Sequence, residues 1–287
     1  MTLPPVVHTQ VFTGEVSLHV ALAGPEDGPP VVLLHGFPEC WWGWHHQIGP
    51  LVDAGFRVIV PDQRGYGQSD KPRRTRDYAM PHLLGDVVGL LDALHIDRVN
   101  LVCHDWGGAV GWTLALTHPE RLRRFVPMNM PHPGVFLREL RHRRQWKRSL
   151  YIAAFQVPFL PERQLLARDC QPLVSALFGN TVHKPFTEDD LRVYREAWTR
   201  PGAIRGMLAW YRAAVRHRPA PPPHRTFDGP AMLIWGRRDK ALGFPMVAPS
   251  AERLTDGRLE VIDDAGHFVQ HDRPDRVNEL LVDFLTG

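Results

Sequence analysis

Three short runs, PVVLLHG at 30–36, FRVIVPD at 56–62 and VNLVCHD at 99–105, are almost continuously apolar and end in polar or glycine-bearing text. A strand with one wet face alternates apolar and polar residues. An unbroken apolar run needs cover on both faces, which is the condition of a parallel sheet flanked by helices. The stretch MPHLLGDVVGLLDALH at 80–95 supplies such cover, with Leu83, Val87, Leu91 and Leu94 recurring at helical spacing. VSLHVALAG (16–24), VPMNMP (126–131), PAMLIWG (230–236) and RLEVIDD (258–264) read as further strands, and PDRVNELLVDFL (274–285) as a terminal helix. Alternation of this kind predicts an α/β fold with a mostly parallel sheet.

The pattern changes between residues 134 and 224. LLARDCQPLVSALF (165–178), EDDLRVYREAW (188–198) and GAIRGMLAWYRAAVRH (202–217) read as helices, and the proline-rich PAPPPH (219–224) as a linker. The expected organisation is a core formed by 1–133 and 225–287 with a helical cap inserted at 134–224. The basic run RELRHRRQWKR (138–148) fits a solvated helix face, because Trp146 is its one Phe, Trp or Tyr and no repeated basic stripe accompanies it.

Composition excludes several classes. In 287 residues, 34 basic and 31 acidic side chains leave a net charge of +3, too even a balance to point to nucleic acid. Cys40, Cys103 and Cys170 are odd in number and show no metal-like pairing, so a disulfide framework is not expected and a reducing, cytoplasmic location is. No run of about 18 apolar residues suggests a membrane span, and the N-terminus lacks the pattern of a leader. Of the 16 histidines, His45 and His46 are neighbours. On a helix or strand neighbours should point different ways, and with no HExxH motif present neither a metal nor a cofactor is expected.

Four predicted strands end in HGFPE (35–39), HDWGG (104–108), GRRD (236–239) and DAGHF (264–268). Ligands of open parallel sheets bind beyond the carboxyl ends of the strands, so these segments should share one edge. In HDWGG, Asp105 stands between a buried strand and a helix, and Gly107 and Gly108 allow a sharp turn. Taken alone, the residue also fits an N-cap aspartate. His267 and Asp239 favour another role, since a carboxylate-oriented histidine can take a proton from water near neutral pH. The order nucleophile, acid, histidine matches that of α/β-hydrolases. The backbone N–H groups of Phe37 and Trp106 are candidates for an oxyanion hole. Trp106, Phe155 and Phe268 suggest an apolar substrate pocket.

HGFPECWWGWHHQI, PDQRGYGQSDKP (61–72), HDWGG and AGHFVQHDRP (265–274) resemble the corresponding stretches of soluble epoxide hydrolases, from about residue 30 to the end. The resemblance implies an eight-stranded α/β-hydrolase fold with a helical lid, and no additional N-terminal phosphatase domain at this length. It also implies two lid tyrosines that hydrogen-bond the epoxide oxygen. YIAAFQVP (151–158) places Tyr151 in that role and AWYRA (209–213) places Tyr211; Tyr66, Tyr78 and Tyr194 are expected to be structural. The implied partners are a small hydrophobic epoxide and water, with a homodimer left open. Cys103 departs from the pattern, because many hydrolases carry glycine two residues before the nucleophile.

Two other functions compete with this one. Haloalkane dehalogenases also pair Asp, His and a second acid with a tryptophan beside the nucleophile, but often follow HG with a halide-binding asparagine, where this chain has Phe37. A non-catalytic ligand-binding protein on the same scaffold is the alternative of a different class.

Overall fold

The computed structural model describes residues 3–217, 220, 222 and 224–287. The linker expected at 219–224 therefore lies partly outside the described residues. In chain order the elements begin with β1 (Val7–Phe12), β2 (Ser17–Ala23), β3 (Pro30–Leu34), α1 (His45–Asp53), β4 (Arg57–Pro61) and α2 (Met80–Ala93). They continue with β5 (Val99–His104), α3 (Asp105–Thr117) and β6 (Leu122–Met128). Helices α4 (Pro133–Glu139), α5 (Arg143–Arg148), α6 (Leu150–Ala154), α7 (Leu160–Gly179), α8 (Glu188–Thr199) and α9 (Ala203–Arg216) follow. The chain then returns through β7 (Phe227–Gly236), α10 (Val247–Ala251), β8 (Leu254–Ile262), α11 (Val269–Asp272) and α12 (Pro274–Thr286).

The strands form one eight-stranded sheet in the order β1-β2-β4-β3-β5-β6-β7-β8. β2 pairs antiparallel with both β1 and β4, and every other pairing is parallel. Successive side chains of β3 explain its unbroken apolar text. Val31 and Leu33 pack with Ile48 of α1 and Leu280 of α12. Val32 and Leu34 pack on the opposite face with Leu90 of α2 and Val110 of α3. Each such buried side chain stabilises the fold by about 1.5–3 kcal/mol. No helix among the described residues is long and apolar enough to cross a membrane.

Parts of the structure depart from the sequence reading. β1 has no counterpart among the expected strands; it is an edge strand with Val7 and Phe12 each 63% exposed, so hydrophobic alternation does not mark it. β6 starts at Leu122, earlier than expected, with Arg123 and Arg124 inside it. The helix expected over 165–178 is broken at Ala167–Cys170, where Arg168, Asp169 and Cys170 all have positive φ. Buried Cys170 packs in the core there, and Arg195 holds the break through the Asp169 carbonyl and carboxylate. The arginines of 138–148 are exposed, as a solvated face requires.

His45 and His46 do not diverge as expected. Their ring centroids lie 3.8 Å apart. A helical step rotates side chains by only about 100°, which leaves two neighbouring rings room to converge.

Candidate active site

Register brings the strand ends level. Leu34 of β3 pairs with Cys103 of β5, and Gly236 of β7 with Ile262 of β8. HGFPE therefore lies beside HDWGG, and GRRD beside DAGHF, at the carboxyl edge of the sheet.

Asp105 opens α3 with a φ of 49°, a left-handed conformation that few side-chain-bearing residues adopt. Glycines make the turn feasible. A Cβ on Gly36 would stand 2.4 Å from the Asp105 Cβ, and one on Gly107 would stand 2.4 Å from the Leu34 carbonyl oxygen. Cys103 fits for the same kind of reason. Its buried Sγ occupies space that a Cβ on Gly111 would enter, at 2.5 Å, and it lies 3.8 Å from the Val126 carbonyl oxygen. Room for the Cys103 side chain is thus made eight residues further on, at Gly111.

The Phe37 N–H donates to Asp105 Oδ1 at 2.8 Å. His267 Nε2 lies 3.5 Å from Asp105 Oδ2, and His267 Nδ1 lies 2.8 Å from Asp239 Oδ2. Asp239 is fully engaged: Oδ1 accepts from the Ala241 and Leu242 N–H groups, and Oδ2 also accepts from Asn129 at 2.7 Å. The arrangement fixes the charges. Burial would raise the Asp105 pKa, but the hydrogen bond and charge of His267, with His104 and the Phe37 N–H, hold it below the usual carboxylate range. Burial would lower His267, yet the Asp239 charge and hydrogen bonds to both carboxylates push it up to about 10. At neutral pH an imidazolium therefore sits between two carboxylates.

Aromatic rings cover the nucleophile. Tyr211 meets Phe37, Trp106, Phe155 and Tyr151 at centroid distances of 5.3, 5.0, 5.1 and 5.7 Å. Tyr211 is buried, and burial pushes its pKa well above the ordinary value, with Tyr151 and Asp105 adding to the effect. Tyr151 keeps 38% of its surface exposed. Its hydroxyl end is nonetheless desolvated, and burial followed by the Asp105 charge raises its pKa. Both phenols are protonated at neutral pH. Trp106 contributes its ring to this group, whereas the observed backbone contact to Asp105 comes from Phe37. Phe155 joins the same group, but Phe268 packs against His104, His267 and Phe186 and so backs the histidine.

Several supporting residues were not read from the sequence. Asn129 at the end of β6 has a φ of 43°; it bonds Asp239 and accepts from the Gly236 N–H. Asn is enriched in that conformation, so Asn in the strand-end text VPMNMP was the available signal. The Asn180 carbonyl accepts from the His267 N–H at 2.8 Å. Glu39, buried next to His104, Tyr194, Gln270 and His271, lies beneath the site; burial opposes its charge, but His271 and His104 hold its pKa low. Tyr66 and Tyr78 are buried outside the ring cluster over Asp105, and Tyr194 bonds Glu39 at 2.8 Å.

Comparison with known proteins agrees with this architecture. Residues 29–274 match the family described as alpha/beta hydrolase fold. An AB hydrolase superfamily protein of Bacillus subtilis, YfhM, is 43% identical over 96% of this chain and 97% of its own length. Epoxide hydrolase A of Mycobacterium tuberculosis is 33% identical, with 96% of each chain covered. The crystal structure of the Bacillus megaterium epoxide hydrolase in complex with an inhibitor superposes with a TM-score of 0.88 at 28% identity, covering 97% of this chain and 100% of that one. With this fold, this length of match and these relatives, the chain belongs to the α/β-hydrolase superfamily and, within it, to the epoxide hydrolase family.

Proposed function

We propose that this hydrolase converts small hydrophobic epoxides to vicinal diols through an ester on Asp105. The observation that carries the reading is the pairing of two protonated tyrosines, Tyr151 and Tyr211, with an ionised aspartate backed by His267 and Asp239. Epoxide opening needs a nucleophile at carbon and a proton donor at oxygen. Asp105 Oδ2 attacks an epoxide carbon, the C–O bond breaks, and a tyrosine proton passes to the departing oxygen. Oδ1, held by the Phe37 N–H, becomes the ester carbonyl oxygen.

Esterification removes the Asp105 charge, and with it part of what raises His267. The imidazolium then gives up its proton, which restores the tyrosine that protonated the epoxide oxygen, and the neutral imidazole can take a proton from water, whose oxygen attacks the ester carbonyl carbon. The Phe37 N–H, with that of Trp106, stabilises the resulting oxyanion. Collapse frees the diol and restores the carboxylate. Serine in place of Asp105 would give an ether, which water does not readily cleave. The segment 134–224 acts in this reading as a lid that carries both tyrosines, and Phe155 on the lid faces Phe37 on the core side, with Trp106 beside them, to give an apolar surface. Phe37 also offers no side-chain donor to a departing halide, which weighs against dehalogenation.

The test is one turnover in oxygen-18 water with enzyme in excess over a simple aryl or aliphatic epoxide. The expected first-turnover diol is largely unlabelled, its new oxygen drawn from Asp105; fully labelled diol would exclude the ester.

A further inference from the structure

Away from the ring cluster over Asp105, the start of α1 meets α11 at three imidazoles. His45, His46 and His271 each offer a ring nitrogen, and those nitrogens all lie within 4.8 Å of one another. Their surroundings leave donor atoms free. His45 Nδ1 lies 2.7 Å from the Trp42 carbonyl oxygen, which can only accept, so Nδ1 carries the hydrogen and Nε2 presents a lone pair. That lone pair faces Asp190 Oδ1 at 3.5 Å, an oxygen that already accepts from the Trp42 indole at 2.8 Å. Two electron-rich atoms facing each other favour a cation near both. His271 Nε2 lies 2.7 Å from Glu39 Oε1, which leaves its Nδ1 for another partner. His46 enters the hydrogen-bond pattern through its carbonyl, and among the described residues its ring nitrogens have no partner.

We propose that His45, His46 and His271 bind a divalent transition-metal ion of the zinc class, with water in the fourth position and Asp190 close by. Imidazole donors suit zinc, copper, nickel and cobalt and not magnesium or calcium. The Trp42 carbonyl behind His45 and the Glu39 carboxylate behind His271 are the outer contacts that orient metal-binding imidazoles. His45 and His46 are partly exposed, which gives the ion a way in. Tetrahedral zinc sets its nitrogen ligands about 3.4 Å apart, so the rings have to draw in by on the order of 1 Å. The bound ion links α1 to α11, the helix that begins just after His267.

The test uses the full chain after chelator treatment and does not depend on epoxide turnover. Titration with zinc by calorimetry should show one equivalent bound, and cobalt should give the visible bands of a tetrahedral site. His46→Ala and, separately, His45→Ala should each weaken zinc by more than the roughly 10–100-fold expected for loss of an outer partner, with circular dichroism reporting that each variant is folded. Absence of a one-equivalent site in the unmutated chain, its survival in both variants, or equal occupancy by magnesium overturns the proposal.

Discussion

Single atoms decide what the site can do. The missing Cβ of Gly36 is one of them, because the Asp105 carboxylate fills that space. Gly36→Ala should displace the nucleophile by a fraction of an ångström or more and lower kcat by about 10²-fold, as misplacement of a reacting group does. Steady-state kinetics beside an unchanged circular dichroism spectrum would show it. The two phenolic oxygens are another case. Tyr151→Phe combined with Tyr211→Phe keeps the ring contacts to Phe37 and Phe155 but removes both proton donors. Ester formation, followed by intact mass in single turnovers, should slow by about 10²–10⁴-fold; an unchanged rate would remove both residues from the reaction. Asp105, Asp239 and His267 were legible because each stands just beyond the end of an expected strand, and β5 and β7 are plain as apolar runs in the text. Asn129 and Glu39 were not, since a strand-end asparagine and a loop glutamate gain meaning only when the chain folds back on them.

The helices and strands show a matching limit. β3, β4 and β5 could be read directly because both faces are covered, whereas β1 lies at an exposed edge, where Val7, Val11 and Phe12 keep no regular alternation. The break in α7 escaped notice because Arg168 and Asp169 are ordinary helical surface residues; Pro172, which has no N–H to give the carbonyl four residues back, was the available signal. The departure at Cys103 looked like a defect in one strand and is resolved by the next helix. Cys103 on β5 and Gly111 on α3 share one small volume. Gly111→Ala should overpack it and destabilise the protein by about 1–3 kcal/mol. Cys103→Gly in the same chain should recover part of that loss, and urea unfolding of the two single variants and the double variant would measure the coupling.

At the level of the whole molecule, the fold places opposite charges deep in one cleft, and its stability should record them. The His267 pKa stands at about 10 against an ordinary 6.5. A raised pKa stabilises the folded state fully below the ordinary value, and the contribution is lost as pH rises through the folded one. The stability advantage of the unmutated chain over His267→Gln should therefore be largest below pH 6.5 and shrink steadily up to pH 10, as urea midpoints across that range would show. The same ion triplet has a consequence for the proposed reaction. At rest, Asp105 and Asp239 each carry −1 and His267 carries +1, a sum of −1. In the ester state Asp105 and His267 are both neutral and Asp239 still carries −1. The proton that His267 sheds matches the one the tyrosines gave to the epoxide oxygen. Ring opening therefore leaves the enclosed site at constant net charge, and neither an ion nor a proton has to be exchanged with bulk water before the ester is hydrolysed.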